Sequence, residues 1–370
     1  MSPLQAAYQG KRVLVTGHTG FKGSWLTQWL LSMGADVAGY ALDPESNQSL
    51  YGKLSISDRL VVDCRADLSD RASINKIICD FSPEIIFHLA AQPLVRLSYE
   101  IPVETFTTNV IGTVHLLDAV RLSGNECSVV CITTDKCYEN REWLHSYREE
   151  DPLGGHDPYS ASKGATEVAI SSYRKSFFLS DGLIRVASAR AGNVIGGGDW
   201  ANDRIVPDCI RAIRSDSPIT VRNKTATRPW QHVLEPLSGY LWLGAQLASS
   251  SDKCFQGAFN FGPDTASNRT VAELVTELIT HTGGQWIDAS DSNGLHEASK
   301  LNLATEKAFH LLKWESVWDF KKTIEATAVW YLEESSGKSV AALTQAQITD
   351  YQNFATKKSL PWALPTTHNH

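Results

Sequence analysis

The chain has 370 residues, more than one typical domain needs, with 42% hydrophobic and 20% charged residues, the balance of an ordinary soluble protein. A net charge of −7 with no basic arm argues against a nucleic-acid partner. Seven cysteines without a CxxC pair or clustered histidines argue against a disulfide framework or a metal site and fit reduced thiols in a cytoplasm; no apolar run reaches the ~20 residues of a membrane span, and Met1 to Gly10 lacks the pattern of a signal peptide.

In chain order, Lys11 to Thr16 (KRVLVT) reads as a buried parallel strand. Gly17-His18-Thr19-Gly20-Phe21-Lys22-Gly23 follows, then a helix over Ser24 to Met33 stopped by Gly34, then a strand over Asp36 to Leu42. A glycine triplet between strand and helix is built for a dinucleotide. Gly17 permits the turn, Gly20 lets backbone approach a pyrophosphate, and Gly23 lets the helix pack on the strand. His18 is unusual in such a loop, and its bulk is expected to stand beside the pyrophosphate and weaken binding. Asp43 closes the second strand, where a carboxylate either accepts from a ribose diol or simply makes a turn before Pro44. No Arg or Lys occupies the next several positions, which favours NAD over NADP.

Arg59 to Cys64 reads as a third strand, with Asp67-Leu68 beyond it in reach of an adenine. Glu84 to Leu89 is a fourth strand opening into Ala90-Ala91-Gln92, with His88 read as a buried, hydrogen-bonded histidine. Thr105 to Leu122 is an amphipathic helix. Ser128 to Thr133 is a fifth strand, and Thr134-Asp135-Lys136 leaves its carboxyl end, where open α/β sheets bind ligands. Alone, these three read equally as a surface Asp–Lys pair. Tyr159 and Lys163 lie four apart at the start of a helix running through Tyr173, so they share a face. A lysine cation beside a phenol favours the phenolate, the form that takes a proton from an alcohol.

Ile184 to Ala189 is a sixth strand, and the glycine-rich run to Asp199 leads out of the sheet. Helices are expected over Val206 to Arg214, Val233 to Leu247, Thr270 to Thr282 and Trp318 to Tyr331, with a short strand at Phe259 to Gly262. Ser359 to His370 is expected to fray. The fold class is α/β, a Rossmann-type doubly wound parallel sheet with a smaller C-terminal substrate domain. Residues 1–190, completed by about 228–262, form the first, and 191–227 with 263–370 the second.

Six runs carry a resemblance to a known family: GHTGFKG (17–23), HLAAQPLVRLSY (88–99), TTDKCYENREW (133–143), YSASK (159–163), RAGNVIGGGDWANDRIVPD (190–208) and RPWQHVLEPL (228–237). They resemble the extended short-chain dehydrogenase/reductases that act on nucleotide sugars, and within them the CDP-glucose 4,6-dehydratase group, over residues 10 to 335. The resemblance implies NAD held by Gly17, Thr19, Gly20, Phe21, Lys22, Gly23, Asp43, Asp67, Leu68, Leu89, Ala90, Ala91, Thr108, Thr133, Tyr159 and Lys163. It implies a catalytic set of Thr134, Asp135, Lys136, Tyr159 and Lys163, and a nucleotide-diphosphate sugar, CDP-glucose, held by Gln92, Arg96, Thr134, Asn193, Arg204 and Arg228. In related dTDP-glucose dehydratases the residue after the aspartate is glutamate; here it is Lys136, which departs from that pattern. The helices at 105–122 and 159–176 resemble those that pair subunits in the family, implying a homodimer or a dimer of dimers. An NAD-dependent sugar epimerase and a non-catalytic NAD-binding regulator on the same fold are the competing readings. An epimerase has no need of both Asp135 and Lys136, and a regulator has no need of Tyr159 with Lys163.

Overall fold

The computed structural model describes residues 1–44, 46, 48–178, 182–290 and 301–365. Seven parallel strands form one sheet: β1 (Arg12–Thr16), β2 (Asp36–Ala41), β3 (Val62–Arg65), β4 (Ile85–His88), β5 (Cys127–Ile132), β6 (Ile184–Ala191) and β7 (Ala258–Phe261). Their spatial order is β7-β6-β5-β4-β1-β2-β3. The chain therefore winds one way from β1 to β3, returns to the other side of β1 with β4, and winds outward again. That reversal between β1 and β4 is the switch point of a Rossmann-type fold. Register runs Val13↔Val37 on one side of β1 and Val13↔Ile85 on the other.

Buried parallel strands need apolar residues on both faces, and β1 supplies them. Val13 and Val15 enter one core cluster and Leu14 the opposite one. Helices α1 (Phe21–Ser32), α2 (Arg71–Phe81), α3 (Gly112–Ser123) and α4 (Pro158–Tyr173) follow the early strands. Ile74, Ile78, Leu116, Val120 and Ile170 of α2, α3 and α4 fill one face, and Trp25 and Trp29 of α1 fill the other. The expected helix over 105–122 starts earlier, at Pro102, and contains a π turn over Thr107–Ile111 before α3 begins. The third strand begins later than expected. Ser57–Arg59 is a 3₁₀ turn, and pairing with β2 starts at Ala38↔Val62.

Beyond β6 the chain builds α5 (Ile205–Arg214), α6 (Leu234–Ser249), α7 (Val271–Thr282) and α8 (Phe320–Ser335). Three two-stranded ribbons join these parts: Val194–Ile195 with Gln231–His232, Thr227–Pro229 with Asn268–Thr270, and Ile219–Val221 with Trp286–Asp288. A last helix, α9 (Val340–Lys357), was not legible as an apolar stripe, because Thr, Gln and Ala interrupt its hydrophobic positions. It packs against α1, where Tyr351 meets Trp29 edge-on and Gln28 bonds Gln345. No helix among the described residues is long and apolar enough to cross a membrane.

The expectation that the chain frays from Ser359 is corrected as far as residue 365, and residues 366–370 lie outside the described residues. Trp362 is 1% exposed and stacks on Tyr351 at 6.0 Å. Its carbonyl accepts from the Leu4 amide at 3.2 Å, tying the last turn to the N-terminal helix Pro3–Tyr8. Burial of one indole outweighs the conformational freedom of a polar, proline-containing tail. Trp362→Ala is expected to lower unfolding free energy by about 3–5 kcal/mol, the usual cost of emptying a large aromatic site. Urea titration of the two proteins checks this.

Candidate active site

The glycine loop closes against its neighbours as its spacing requires. Gly17 has φ +74°, and a Cβ there would lie 2.8 Å from the Ala90 amide nitrogen. A Cβ on Gly23 would lie 2.1 Å from the Gly17 carbonyl oxygen, so α1 could not sit so close to the loop. Gly20 differs: a Cβ there would meet only the Gly17 oxygen, at 3.4 Å. The chain's own packing does not demand a glycine at position 20, and its bareness leaves the cradle open to a ligand. The first turn of α1 carries no acidic residue, so nothing of its own competes with an anion at the amides. Thr19 donates to the Leu42 carbonyl at 3.0 Å, linking the loop to the end of β2. Lys22 is half-buried and faces the cleft. Burial pulls its pKa down to about 8, with Arg204, Asp135, Lys163 and Asp199 as charged neighbours.

His18 does not stand beside the phosphate site as expected. It is fully buried, with Nε2 2.8 Å from Asp63 and its ring edge-on to Tyr51. It occupies the space above Gly39, where any Cβ would come within 2.4 Å of the imidazole. Asp63 also accepts from Tyr51 at 2.6 Å and Arg65 at 2.8 Å. The imidazole thus points away from the cradle into a polar knot behind β2.

Asp43 is exposed at the end of β2. Arg65 arrives at the same edge from β3, bonding the Leu42 carbonyl at 3.3 Å while paired with Asp63. Inspection of the residues just after Asp43 could not find this cation, because it comes through a different strand. Asp67 spends one carboxylate oxygen on the Ser69 amide, 2.7 Å away. Leu68 is buried under Gly112, where a Cβ would fall 2.7 Å from it.

At the end of β4, Leu89, Ala90 and Ala91 are half-buried, and the Ala90 amide donates to Thr16 Oγ1 at 3.1 Å. His88 is buried between Thr16 (2.7 Å) and Thr113 (3.0 Å), as its apolar flanks implied. Gln92 uses its amide within its own loop, on Leu94 and Thr105. Thr108 lies half-buried in the π turn beside Asn109. Asn109, which falls within the helix expected over 105–122, ties this loop to α4. It accepts from the Gln92 amide at 2.8 Å and donates to Ser162 at 2.8 Å.

Across the crevice, Thr134 caps the turn Asp135–Cys137 at the end of β5. Its hydroxyl lies 2.9 Å from an Asp135 oxygen, accepts from the Lys136 amide at 3.3 Å, and hydrogen-bonds Tyr159. Asp135 is 3% exposed, and burial raises its pKa against the pull of Lys136, Thr134, Arg228 and Lys22. Gly192 leaves room for the Asp135 carboxyl, because a Cβ there would sit 2.8 Å from Oδ2 and push it aside. Lys136 is half-buried. Tyr159 and Lys163 lie on the buried face of α4 near its Asp157 cap. Burial raises the Tyr159 pKa and lowers that of Lys163 to about 8. A carboxyl of raised pKa, a hydroxyl and a phenol thus lie in one hydrogen-bonded row, with an amine of depressed pKa one helical turn beyond the phenol.

On the far wall, Arg204 pairs with Asp199 at 2.8 Å and Arg228 donates to the Thr227 carbonyl at 2.8 Å. Asn193 is half-buried at the head of this wall. Arg96 reaches over from the β4 side to Asp203 at 3.3 Å, which Arg222 also holds at 2.7 Å. Among the described residues no group of His, Cys, Asp and Glu is arranged to hold a metal ion.

The family model described as GDP-mannose 4,6 dehydratase matches residues 14–327. The chain belongs to this family. It is 46% identical over 356 residues to CDP-glucose 4,6-dehydratase of Salmonella typhimurium, covering 95% of this chain and 98% of the other. It is 27% identical to CDP-paratose 2-epimerase of Salmonella typhi, over 71% of this chain and 82% of that one. Among solved structures, a dTDP-glucose 4,6-dehydratase from Bacillus anthracis in complex with NAD superposes with a TM-score of 0.73 at 22% identity, covering 88% and 98% of the two chains. A UDP-glucose 4-epimerase of Thermotoga maritima gives 0.74 at 22% identity, covering 88% and 99%. These two likenesses show the fold.

For this member of the 4,6-dehydratase family, the depressed lysine has a consequence for stability. Lys163 binds its proton less tightly folded, at about 8, than in an unfolded chain, at about 10.4. Between those values the unfolded state holds more protons, so this group's contribution to stability rises with pH from about 8 and is at its worst below it. Stability of the wild type relative to Lys163→Met is expected to rise by on the order of 2 kcal/mol between pH 7.5 and 9.5. Denaturant titrations at both pH values check the sign.

Proposed function

We propose that this protein dehydrates CDP-D-glucose to CDP-4-keto-6-deoxy-D-glucose, using one bound NAD through the whole cycle. The observation that carries this reading is Asp135. A buried carboxyl with a raised pKa sits beside the threonine that bonds Tyr159, an acid that alcohol oxidation alone would not use. The 46% identity to a CDP-glucose 4,6-dehydratase over nearly the full length of both chains supports the nucleotide. The open cradle at Gly20 and the cation Lys163 at its edge fit a dinucleotide. Bound there, NAD supplies the acceptor for the C4 hydride and its return to C6.

Tyr159 takes the C4 hydroxyl proton; burial on its own favours the neutral phenol, and Lys163, which would hold the nicotinamide ribose, would offset that by its charge. Thr134 holds the C4 oxygen in line. The C4 ketone acidifies the proton at C5. Lys136 removes that proton as base while Asp135 protonates the departing C6 hydroxyl, which leaves as water. A carboxyl whose proton burial holds more tightly suits the second task. Arg204, Arg228 and Asn193 would hold the diphosphate, with Gln92 and Arg96 at the sugar side. Guanidinium forks match phosphate oxygens, and each arginine would exchange a protein partner for substrate. We assign the dinucleotide part to 1–190 with about 228–262, and the sugar-nucleotide part to 191–227 with 263–370. An epimerase reading would leave Asp135 and Lys136 without a task. Seven cysteines, all of them free, fit a cytoplasmic enzyme.

We also propose a homodimer, alone or paired, through the faces of 102–111 and α4. Val103 is 71% exposed and Ile111 46%, and Phe106, Val110 and Ala165 join them in one apolar hollow; Val168 of α4 is 58% exposed.

Incubated with NAD and, separately, CDP-, dTDP-, UDP- and GDP-linked glucose, the protein is expected to convert only the CDP sugar, with loss of one water by mass. An unchanged mass with an inverted hydroxyl would mean an epimerase. Tyr159→Phe and Asp135→Asn are each expected to lower kcat by about 10²–10⁴. In sedimentation at micromolar concentration the protein is expected to run as a dimer or tetramer, and Val103→Asp to shift it toward monomer. A wild-type monomer would refute the assembly.

A further inference from the structure

Tyr159, Lys163 and Glu167 stand at successive four-residue steps on the buried face of α4. The first two have tasks in the reaction proposed above; the third is 3% exposed and hydrogen-bonds none of the five residues given catalytic tasks, although its charge supports the Lys163 cation. Its carboxylate is fully engaged. One oxygen accepts from Thr133 Oγ1 at 2.5 Å, and the other from Ser188 Oγ at 2.7 Å and Arg190 at 2.8 Å. Arg190, also 3% exposed, carries the contact onward to the Tyr138 hydroxyl at 2.7 Å and the Glu149 carbonyl at 3.0 Å. Tyr138 in turn donates to Asn260 of β7 at 2.8 Å. Burial opposes charge on Glu167, but the Arg190 cation and the Thr133 and Ser188 bonds hold its pKa below the usual carboxylate value.

Thr133 immediately precedes Thr134-Asp135-Lys136. The Glu167–Thr133 bond therefore joins the helix bearing the redox pair to the strand end bearing the elimination pair. The two pairs must address adjacent carbons of one sugar without its leaving the site. A displacement of about 1 Å between such groups can cost ~10²-fold in rate. We propose that Glu167, held by Arg190, is a positioning residue that sets the distance between the oxidising and water-eliminating halves of the site. This rests on the dehydratase reading.

A merely structural residue would slow every step alike or destabilise the fold. A positioning residue between two half-sites changes how turnover partitions between them. Oxidation of C4 alone leaves a 4-keto hexose and one reduced nicotinamide per active site. Elimination of water and hydride return to C6 reoxidise it. The experiment follows absorbance at 340 nm and product mass together, in a single turnover of NAD-loaded enzyme with CDP-glucose. Thr133→Val is read first, because it cuts the bond to Glu167 and leaves the buried ion pair whole. Glu167→Gln is the second variant, with thermal melts to show that each protein is folded.

Both variants are expected to retain KM within about threefold while reduced nicotinamide builds up and water loss slows at least tenfold more than oxidation does. Thr133→Ser, which keeps the hydroxyl, is expected to return the partition toward wild type. Equal slowing of both steps, or no change in either variant, would overturn the positioning role. A wild-type protein that loses no water from CDP-glucose would overturn the dehydratase reading itself, and the inference with it.

Discussion

Every strand of the sheet runs the same way, and the site depends on that one constraint. Parallel pairing sends each carboxyl end to a single edge, so Gly17, Ala90, Thr133 and Gly192 all emerge there although they are far apart in sequence. The reversal of winding at β1 and β4 leaves their two loops diverging, and the crevice between them is open without any side chain being removed. Helix α1 closes one wall because Gly23 lets it press on Gly17, and α4 closes the other because its buried face carries Tyr159 and Lys163. A break in parallel order anywhere between β1 and β6 would move one of these groups to the opposite edge.

Much of this was readable from sequence because the relevant signals are local. Buried parallel strands read as short β-branched runs, and a four-residue interval on a helix fixes a shared face. The glycine loop is legible because its steric demands fall within seven residues. What could not be read depends on where the chain returns. His18 could have pointed either toward the cradle or behind β2, and the deciding neighbours, Asp63 and Tyr51, come from a later segment. Arg65 reaches the Leu42 carbonyl through β3. Arg190 opens the run that leads into the second half, and nothing in its neighbours in sequence tells that it lies inside the molecule against Glu167. The last helix escaped notice because Thr, Gln and Ala break its apolar positions, although Tyr351 and Ile348 are fully buried.

Low polarity raises the pKa of every buried carboxyl here, and the net direction is decided by their partners. Asp135 is buried beside a neutral hydroxyl and a half-solvated lysine, so its proton is held more tightly. Glu167 is as deeply buried but meets a guanidinium and two hydroxyls, and it stays charged. Glu235 lies between these cases. It accepts from the Val317 and Trp318 amides and the Tyr351 hydroxyl, without a cation in contact, and burial pushes it to about 7. Surface pairs such as Lys76 with Asp80 sit in water and contribute little by comparison. Charge in this protein is therefore informative where it is buried, and the buried carboxylates fall at the joints between elements.

The bond from Leu4 to Trp362 brings residues near the two ends of the chain together. Trp362 also stacks on Tyr351, and Tyr8 of the N-terminal helix donates to Leu241 of α6 at 2.6 Å. One face of the sheet is thus sealed by segments more than 300 residues apart in sequence. During synthesis, β1 and the glycine loop would form long before α9 arrives to cover Trp29. Until then an apolar face of the nascent domain stays open to water or to a chaperone.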